Sequence, residues 1–386
     1  MTTTIYKRDR VFWLAALQTA AFGIFMGGFG PALPLLQDVQ GTSAAVAGLH
    51  GTAIGCASIV AGGFNAHIVH RFGRSMTVWI GLIIFNIGAL GFVIFPNPWQ
   101  TISAIFIAGI GLSITINNTF MKLSIHYADH SARATSQSNG VNSAFVMLGN
   151  FIIGVIASSS FNWKLGLLLC IPFTIMLYLL LGRHEEYEYI PEESGRQKGS
   201  LSMKYWVSWV GMTFCIAAEF AVAFWAAALI RERTDISAAS ATTLVLAFPF
   251  GMMIGRWFGT YLKPHLDIDQ RLKLIVAIQG LSFLVFWASN IPFASFVALF
   301  FVGFGTSMQF ALSTLRLLRF AANKPDLAIG KASWGAGLAI ALSPLLLGFL
   351  ADKFGIVNGF LMVPAIVICA FVIVVLLPSD HEVEKA

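Results

Sequence analysis

Charge is what this chain has least of. Asp, Glu, Lys and Arg together make up 11% of its 386 residues, where a soluble domain carries about 25%. That shortage excludes an ordinary water-facing fold. Cysteine is scarce as well. Cys56, Cys170, Cys215 and Cys369 all fall inside apolar runs, and no two have the spacing of a metal knuckle or a disulfide framework. There is no Walker loop, no dinucleotide glycine fingerprint and no zinc motif. ATP-driven work and cofactor chemistry by this chain are therefore not expected. A membrane-embedded enzyme would need several His, Asp, Glu or Ser groups gathered at one depth, and the sequence offers no such cluster, so the chain is not read as an enzyme. No low-complexity tract or long tail points to disorder.

What fills the chain instead is apolar runs of membrane-spanning length. A span needs about 20 mostly apolar residues to cross a hydrocarbon core of about 30 Å. Such runs begin near Val11, Ala44, Ser75, Pro98, Thr135, Trp163, Tyr205, Ser237, Leu272, Ile291, Ala328 and Ile356. The basic lead-in MTTTIYKRDR precedes a stretch too long for a signal-peptide h-region, and no clear A-x-A site follows, so this stretch is expected to be a permanent first span. The expected fold is an all-α membrane protein of 12 transmembrane helices.

The net charge of +6 is better explained by topology than by nucleic acid, which is not expected as a partner. With the N-terminus in the cytoplasm, only Lys164, Arg231, Arg233 and Lys353 of the 24 basic residues face outward. That imbalance is the positive-inside pattern. It puts both termini in the cytoplasm and the chain in the cell (inner) membrane.

The longest hydrophilic stretch, Arg183 to Lys204, divides the chain into residues 1–182, a cytoplasmic linker 183–204, and residues 205–386. The two outer segments are related. Ser138-Asn139-Gly140 opens the fifth run and Gly154-Val-Ile-Ala157 closes it; Ser333-Trp334-Gly335 and Gly348-Phe-Leu-Ala351 do the same for the eleventh, at offsets of 195 and 194 residues. Each segment holds six spans, so the expected halves are parallel repeats about an axis along the membrane normal. Carriers built this way place the solute near the midplane between halves and rock one half against the other. Gly51 and Gly55, and Gly251, Gly255 and Gly259, have the small-residue spacing that lets helices approach closely in lipid.

These features resemble the major facilitator superfamily over nearly the whole chain. Its loop signature after the second span, roughly G-x-x-x-D-R-x-G-R, corresponds here to Ala66-His67-Ile68-Val69-His70-Arg71-Phe72-Gly73-Arg74. Arg71, Gly73 and Arg74 match, while His70 stands where the family has Asp. The resemblance implies a gating role for His70, Arg71, Gly73 and Arg74. Arg256, which follows Gly255 at the matching end of the eighth span, joins that set, and Gly348 to Gly355, with Asp352, is a cleaner copy after the eleventh. Ala218 to Trp225, with Gly251 to Arg256, is similar to fucose-permease-like sugar transporters. The first half departs from that group, since spans one and four lack the buried acids its members use. The proline of the drug-antiporter signature in span five is absent too: the stretch is Gly149-Asn150-Phe-Ile-Ile-Gly154.

One acid stands apart. Of 18 Asp and Glu, only Glu219 lies near the middle of a span. A carboxylate in hydrocarbon is costly, so such groups usually face a water-filled cavity and serve function. Glu219 is the expected proton-coupling group, or else an acid that glues two helices. No basic partner is evident at its depth, because Arg256, Arg316 and Arg319 look like snorkelling residues at span ends. His50 is read as a helix-packing residue. The expected solute-binding set is mostly neutral: Gln18, Asn117, Asn118, Asn142 and Gln309, with Trp225 and Trp334 as stacking surfaces. Each amide has the alternative reading of interhelical glue. This set suits a small polar, sugar-like solute moved by proton-coupled secondary transport, with the proton gradient as energy source and no cofactor. Proton-driven efflux of drugs or metabolites is one alternative, and a non-transporting sensor is another. The expected partners are the solute and membrane lipid, with the chain a monomer.

Overall fold

The computed structural model describes residues 6–30, 32–127, 130–157, 159, 161–182, 199–259, 266–321 and 324–379. All regular structure among them is helical. Lipid offers the backbone no hydrogen-bond partner, and a helix satisfies its own N–H and C=O groups within one segment. The helices are α1 (Arg10–Phe29), α2 (Leu33–Gln40), α3 (Ala44–Phe72), α4 (Arg74–Ile94), α5 (Pro98–Tyr127), α6 (Ser131–Ala157), α7 (Lys164–Leu167) and α8 (Cys170–Leu180) in the first half. The second half holds α9 (Met203–Thr234), α10 (Ala238–Leu244), α11 (Ala247–Phe258), α12 (Ile268–Ala288), α13 (Pro292–Thr306), α14 (Gln309–Arg319), α15 (Pro325–Phe354), α16 (Ile356–Gly359) and α17 (Met362–Leu376).

Among the described residues, eleven stretches are long and apolar enough to cross a membrane, and Lys164–Leu180 is a shorter apolar twelfth. The sixth, eighth, tenth and twelfth spans are each made of two helices in succession, α7–α8, α10–α11, α13–α14 and α16–α17. Most of the expected linker 183–204 lies outside the described residues. Chain entry into the helices is set by short polar side chains. Asp9, Ser43, Ser202 and Ser237 accept from the Phe12, Val46, Tyr205 and Ser240 amides, and Asp267 forms a capping box with Gln270.

The first and last spans begin and end at the same end of the bundle, here the terminal end; the other is the far end. Many phenylalanines are internal rather than lipid-facing. Phe22, Phe25 and Phe29 of α1 meet Phe85 and Phe92 of α4 with ring centroids 5.3–6.1 Å apart. At the terminal end of the second half, Arg316 Nε lies 2.9 Å from Asp269 Oδ1, both side chains nearly fully buried. Arg316 also donates to Ser208 and to the Leu377 carbonyl, and Asp269 accepts from Ser379. Arg316 is thus enclosed in an ion pair and does not snorkel, because the chain after α17 folds back over it.

The halves meet along two seams. In the first, α3 lies against α15: Gly48 and Gly51 approach Pro344, and a Cβ on Gly55 would collide with the backbone at Ala341. In the second, α6 lies against α10 and α11. The small-residue spacing in α11 serves packing within the second half: side chains at Gly251 or Gly255 would collide with the Phe300 carbonyl or with Ser307.

Candidate transport site

Glu219 sits in the middle of α9, and Arg256 in the last turn of α11. Arg256 is fixed in depth by its neighbour Gly255, which lets α11 settle onto Ser307. Its Nη2 lies 3.8 Å from Glu219 Oε1, and each side chain is 19% exposed. The separation is beyond hydrogen-bond length, so the two charges face one another without a shared proton bridge. The expectation that Glu219 lacks a basic partner, with Arg256 a snorkelling residue, is corrected by this geometry. Depth along one helix does not reveal which residues a neighbouring helix brings alongside.

Arg256 has three other partners. Its Nη1 donates to Ser143 Oγ at 2.8 Å, and its Nε donates to the Ser307 carbonyl at 3.3 Å. Its own carbonyl accepts from Ser136 Oγ at 2.8 Å. Ser307 belongs to the second half, but Ser136 and Ser143 belong to α6 in the first. Ser143 sends its own proton to the Asn139 carbonyl at 3.0 Å, which leaves its lone pairs for the guanidinium. Next along α11, Trp257 packs over Gly140 of α6 and under the guanidinium of Arg8, 4.9 Å from the ring centre. The face of α6 that meets α11 is Ser136, Gly140 and Ser143. These three recur at helical spacing (i, i+4, i+7), a signal present in the sequence beside the Asn142 that was singled out.

The other expected site residues separate into those already satisfied and those still open. Asn118 donates to Asn65 Oδ1 and to the Ile114 carbonyl, and accepts from Arg74 Nη1. Gln309 donates to Gln279 Oε1 and to the Gly305 carbonyl. Trp225 is buried, with its indole N–H on the Pro344 carbonyl at 3.0 Å. In this arrangement these three hold helices together. Gln18 is fully buried, with neither amide atom bonded. It shares a face of α1 with Phe22, Phe25 and Phe29, whose rings meet α4 and, through Phe29, Phe224 of α9. Asn142 is partly exposed, lies against Gly23 of α1, and keeps an unpartnered Oδ1. Asn117 is exposed on α5. Trp334 is exposed, with the Lys331 ammonium 3.4 Å from the ring centre. His50 is buried between the Ala47 carbonyl and Thr101, against Phe29 and Phe92, a packing position.

Of the gating set, the His70 side chain lies outside the described residues. Arg71 is exposed over Phe72. Gly73 ends α3 at φ +77°, a conformation that favours glycine. Asp352 has a role the sequence did not reveal. Its two carboxylate oxygens accept from the Ala44 and Ala45 amides at 2.9 and 2.8 Å, so a side chain of the second half caps a helix of the first.

The family model described as the Major Facilitator Superfamily matches residues 11–324. The chain belongs to this superfamily. Among its relatives, YwtG of Bacillus subtilis (strain 168), whose name describes metabolite transport, is 24% identical over 200 residues, covering 50% of this chain and 44% of YwtG. The chain thus spans less than half the length of that relative. Among solved structures, that of a bacterial homologue of the human lysosomal transporter Spinster, in an inward-facing and occupied conformation, aligns with a TM-score of 0.75 over 99% of both chains, at 12% identity. At that identity the likeness is one of fold, and the architecture above is the superfamily's.

Proposed function

We propose that this facilitator is a proton-coupled carrier of a small polar solute, working by alternating access, with Glu219 as its proton-coupling group. The observation that carries the reading is the Glu219–Arg256 pair. A deep carboxylate, still reachable by water, faces a guanidinium that is too far away to share its proton. Protonation of Glu219 changes the local charge balance by one unit at the place where the halves join. The solute's polar groups are met by Arg256 and Asn142, with Asn117 and Trp334 the other open members of the set. A sugar-like solute rests on fewer free amides than its sequence pattern implied, since Asn118 and Gln309 are committed to other helices. Residues 1–182 and 205–386 act as the two rocking bodies. The excess of Lys and Arg at the terminal end supports a cytoplasmic location for both termini and an inner-membrane setting.

The test begins with a thermal-shift panel of sugars, nucleosides, amino acids and lipophilic cations. A molecule that binds the native state raises its melting temperature by mass action. The stabilising molecule is then followed in proteoliposomes with an imposed pH gradient. Glu219→Gln is expected to abolish gradient-driven accumulation and keep counterflow exchange. Unchanged accumulation in that variant overturns the proton-coupling role.

A further inference from the structure

Four of the six contacts described for Arg256 and Trp257 come from outside their own half: Ser136 on the Arg256 carbonyl, Ser143 on the guanidinium, and Gly140 and Arg8 on the Trp257 ring. Of these first-half contacts, only Ser143 touches the guanidinium. It does so as a fixed acceptor, because its proton is held by Asn139. The guanidinium therefore stands between a carboxylate of the second half and a hydroxyl of the first. Among the described residues it is the one group that belongs to both the candidate proton site and the joint between the halves.

We infer that Ser143 is a positioning residue: its hydroxyl carries the charge state of Glu219, through Arg256, to the α6–α11 joint. This rests on the reading of Glu219 as the coupling group. While Glu219 is ionised, the positive charge of Arg256 is balanced, and the guanidinium is stable in a water-poor joint with neutral partners on its other edges. Once Glu219 is neutral, the same guanidinium has only Ser143 and the Ser307 carbonyl. A half-buried cation without a counter-charge is costly, and the cost is relieved by parting α6 from α11 so that more water reaches Arg256, whose side chain is 19% exposed here. Among the described residues no other charge takes over this role; Arg319 of α14 is held by Ser379 at the terminal end. On α9 itself, Cys215 is within electrostatic reach of Glu219, and from α14 Arg316 reaches Cys215, with its own charge matched by Asp269. Of the other elements packed on α9, α10, α13, α16 and α17 bring no ionisable Asp, Glu, Lys, Arg or His, and the charged residues of α2 and the described ones of α15 lie toward the two ends of the bundle.

The experiment is a double-mutant cycle on the full chain in lipid nanodiscs, read by the distance between spin labels at the terminal end. The labels replace Ile125 and Leu274, both exposed, in a background where the exposed Cys56 and Cys369 are serine. Glu219→Gln is expected to raise the ratio of long to short distances about tenfold, the size of one hydrogen bond to a charged group. In the Ser143→Ala background that rise is expected to fall below about threefold, and Ser143→Thr, which keeps the hydroxyl, restores it. If Ser143→Ala does not fold, Arg256→Lys replaces it in the cycle, since it keeps the charge and loses the fork that reaches Ser143. An equal rise with and without the hydroxyl, or no rise in either, overturns the inference. Failure of Glu219 as the coupling group shows separately, as retained gradient-driven accumulation in Glu219→Gln.

Discussion

The two seams between the halves are built from equivalent parts and used differently. At the far end, each relies on a glycine supplied by the internal repeat. A side chain at Gly348 would collide with the Ala44 carbonyl at the start of α3, and one at Gly154 with Thr243 in α10. From there they diverge. The α3–α15 seam is clasped by the Asp352 carboxylate, narrows to backbone contact at Gly55, and then parts, so that among the described residues Gly62 and Gly63 have no atom of another helix near the place where a Cβ would stand. The α6–α11 seam stays joined toward the terminal end through Gly140, Ser136 and Ser143, and among the described residues it alone carries a half-buried charge pair beside it. Under the alternating access proposed above, opening at the terminal end would run along one seam, with the other as a strap. The strap is where a change of charge has leverage.

The largest expected effect comes from filling the narrowest point of the parted seam. Gly55→Leu places a side chain against the Ala341 and Gly337 backbones, which cannot rotate away as a flexible side chain can. Overpacking a close contact costs about 1–3 kcal/mol, and backbone contact lies at the upper end. The variant is expected to lose several degrees of thermal stability and to shift toward states with the far end open. Gly140→Leu is the matched control on the strap, since its nearest neighbour is the Trp257 ring at 3.1 Å from the glycine's would-be Cβ. Equal losses in the two would erase the distinction between a backbone clasp and a side-chain strap.

How far the sequence foretold this comparison depends on the kind of feature. The spans were legible because lipid leaves the backbone a single solution, and the repeat because the same glycines recur half a chain apart. Glu219 was legible because a mid-span acid is conspicuous on its own helix. Arg256 was not recognised as its partner: it looked like a residue at a helix end, and only the packing of Gly255 on Ser307 sets it beside α9. Asn118, Trp225 and Gln309 show the same limit from the other side. Their types suited a solute, but which face of a helix meets a neighbour is settled by packing, and the neighbour claimed them. Asp352 was visible as a motif, whereas its acceptors, two backbone amides of the other half, leave no trace in residue identity.

The second effect in size tests the clasp. Asp352→Ala removes the partner of two first-turn amides of α3, while Ser43 still serves the Val46 amide. Loss of a helix cap costs about 0.5–2 kcal/mol, here charged to the closed far end alone. Labels at Val39 and Ile291, both exposed, are expected to report a severalfold gain in long distances. The neighbouring cross-half pair, Arg231 with Asp38 at 3.1 Å, is largely exposed, and such pairs contribute little. Asp38→Asn is expected to leave the same distribution unchanged. A larger shift from Asp38→Asn than from Asp352→Ala would move the clasp to the wrong residue.

The smallest effect has the opposite sign. Gly62 lies within α3 where the seam has parted, and a Cβ there meets no other group among the described residues. With no clash to pay for, the substitution Gly62→Ala acts through the unfolded chain and through helix propensity, which favours Ala over Gly by about 0.5–1 kcal/mol. The melting temperature is expected to rise by a few degrees at most. Under the alternating access proposed above, α3 and α15 are expected to approach at this end in the other state, where the added methyl would meet the neighbouring helix. The same variant should therefore gain stability and lose transport rate. Stability and rate moving together, both up or both down, would mean that the terminal end of this seam does not close during the cycle, and that the strap at α6 and α11 carries the motion by itself.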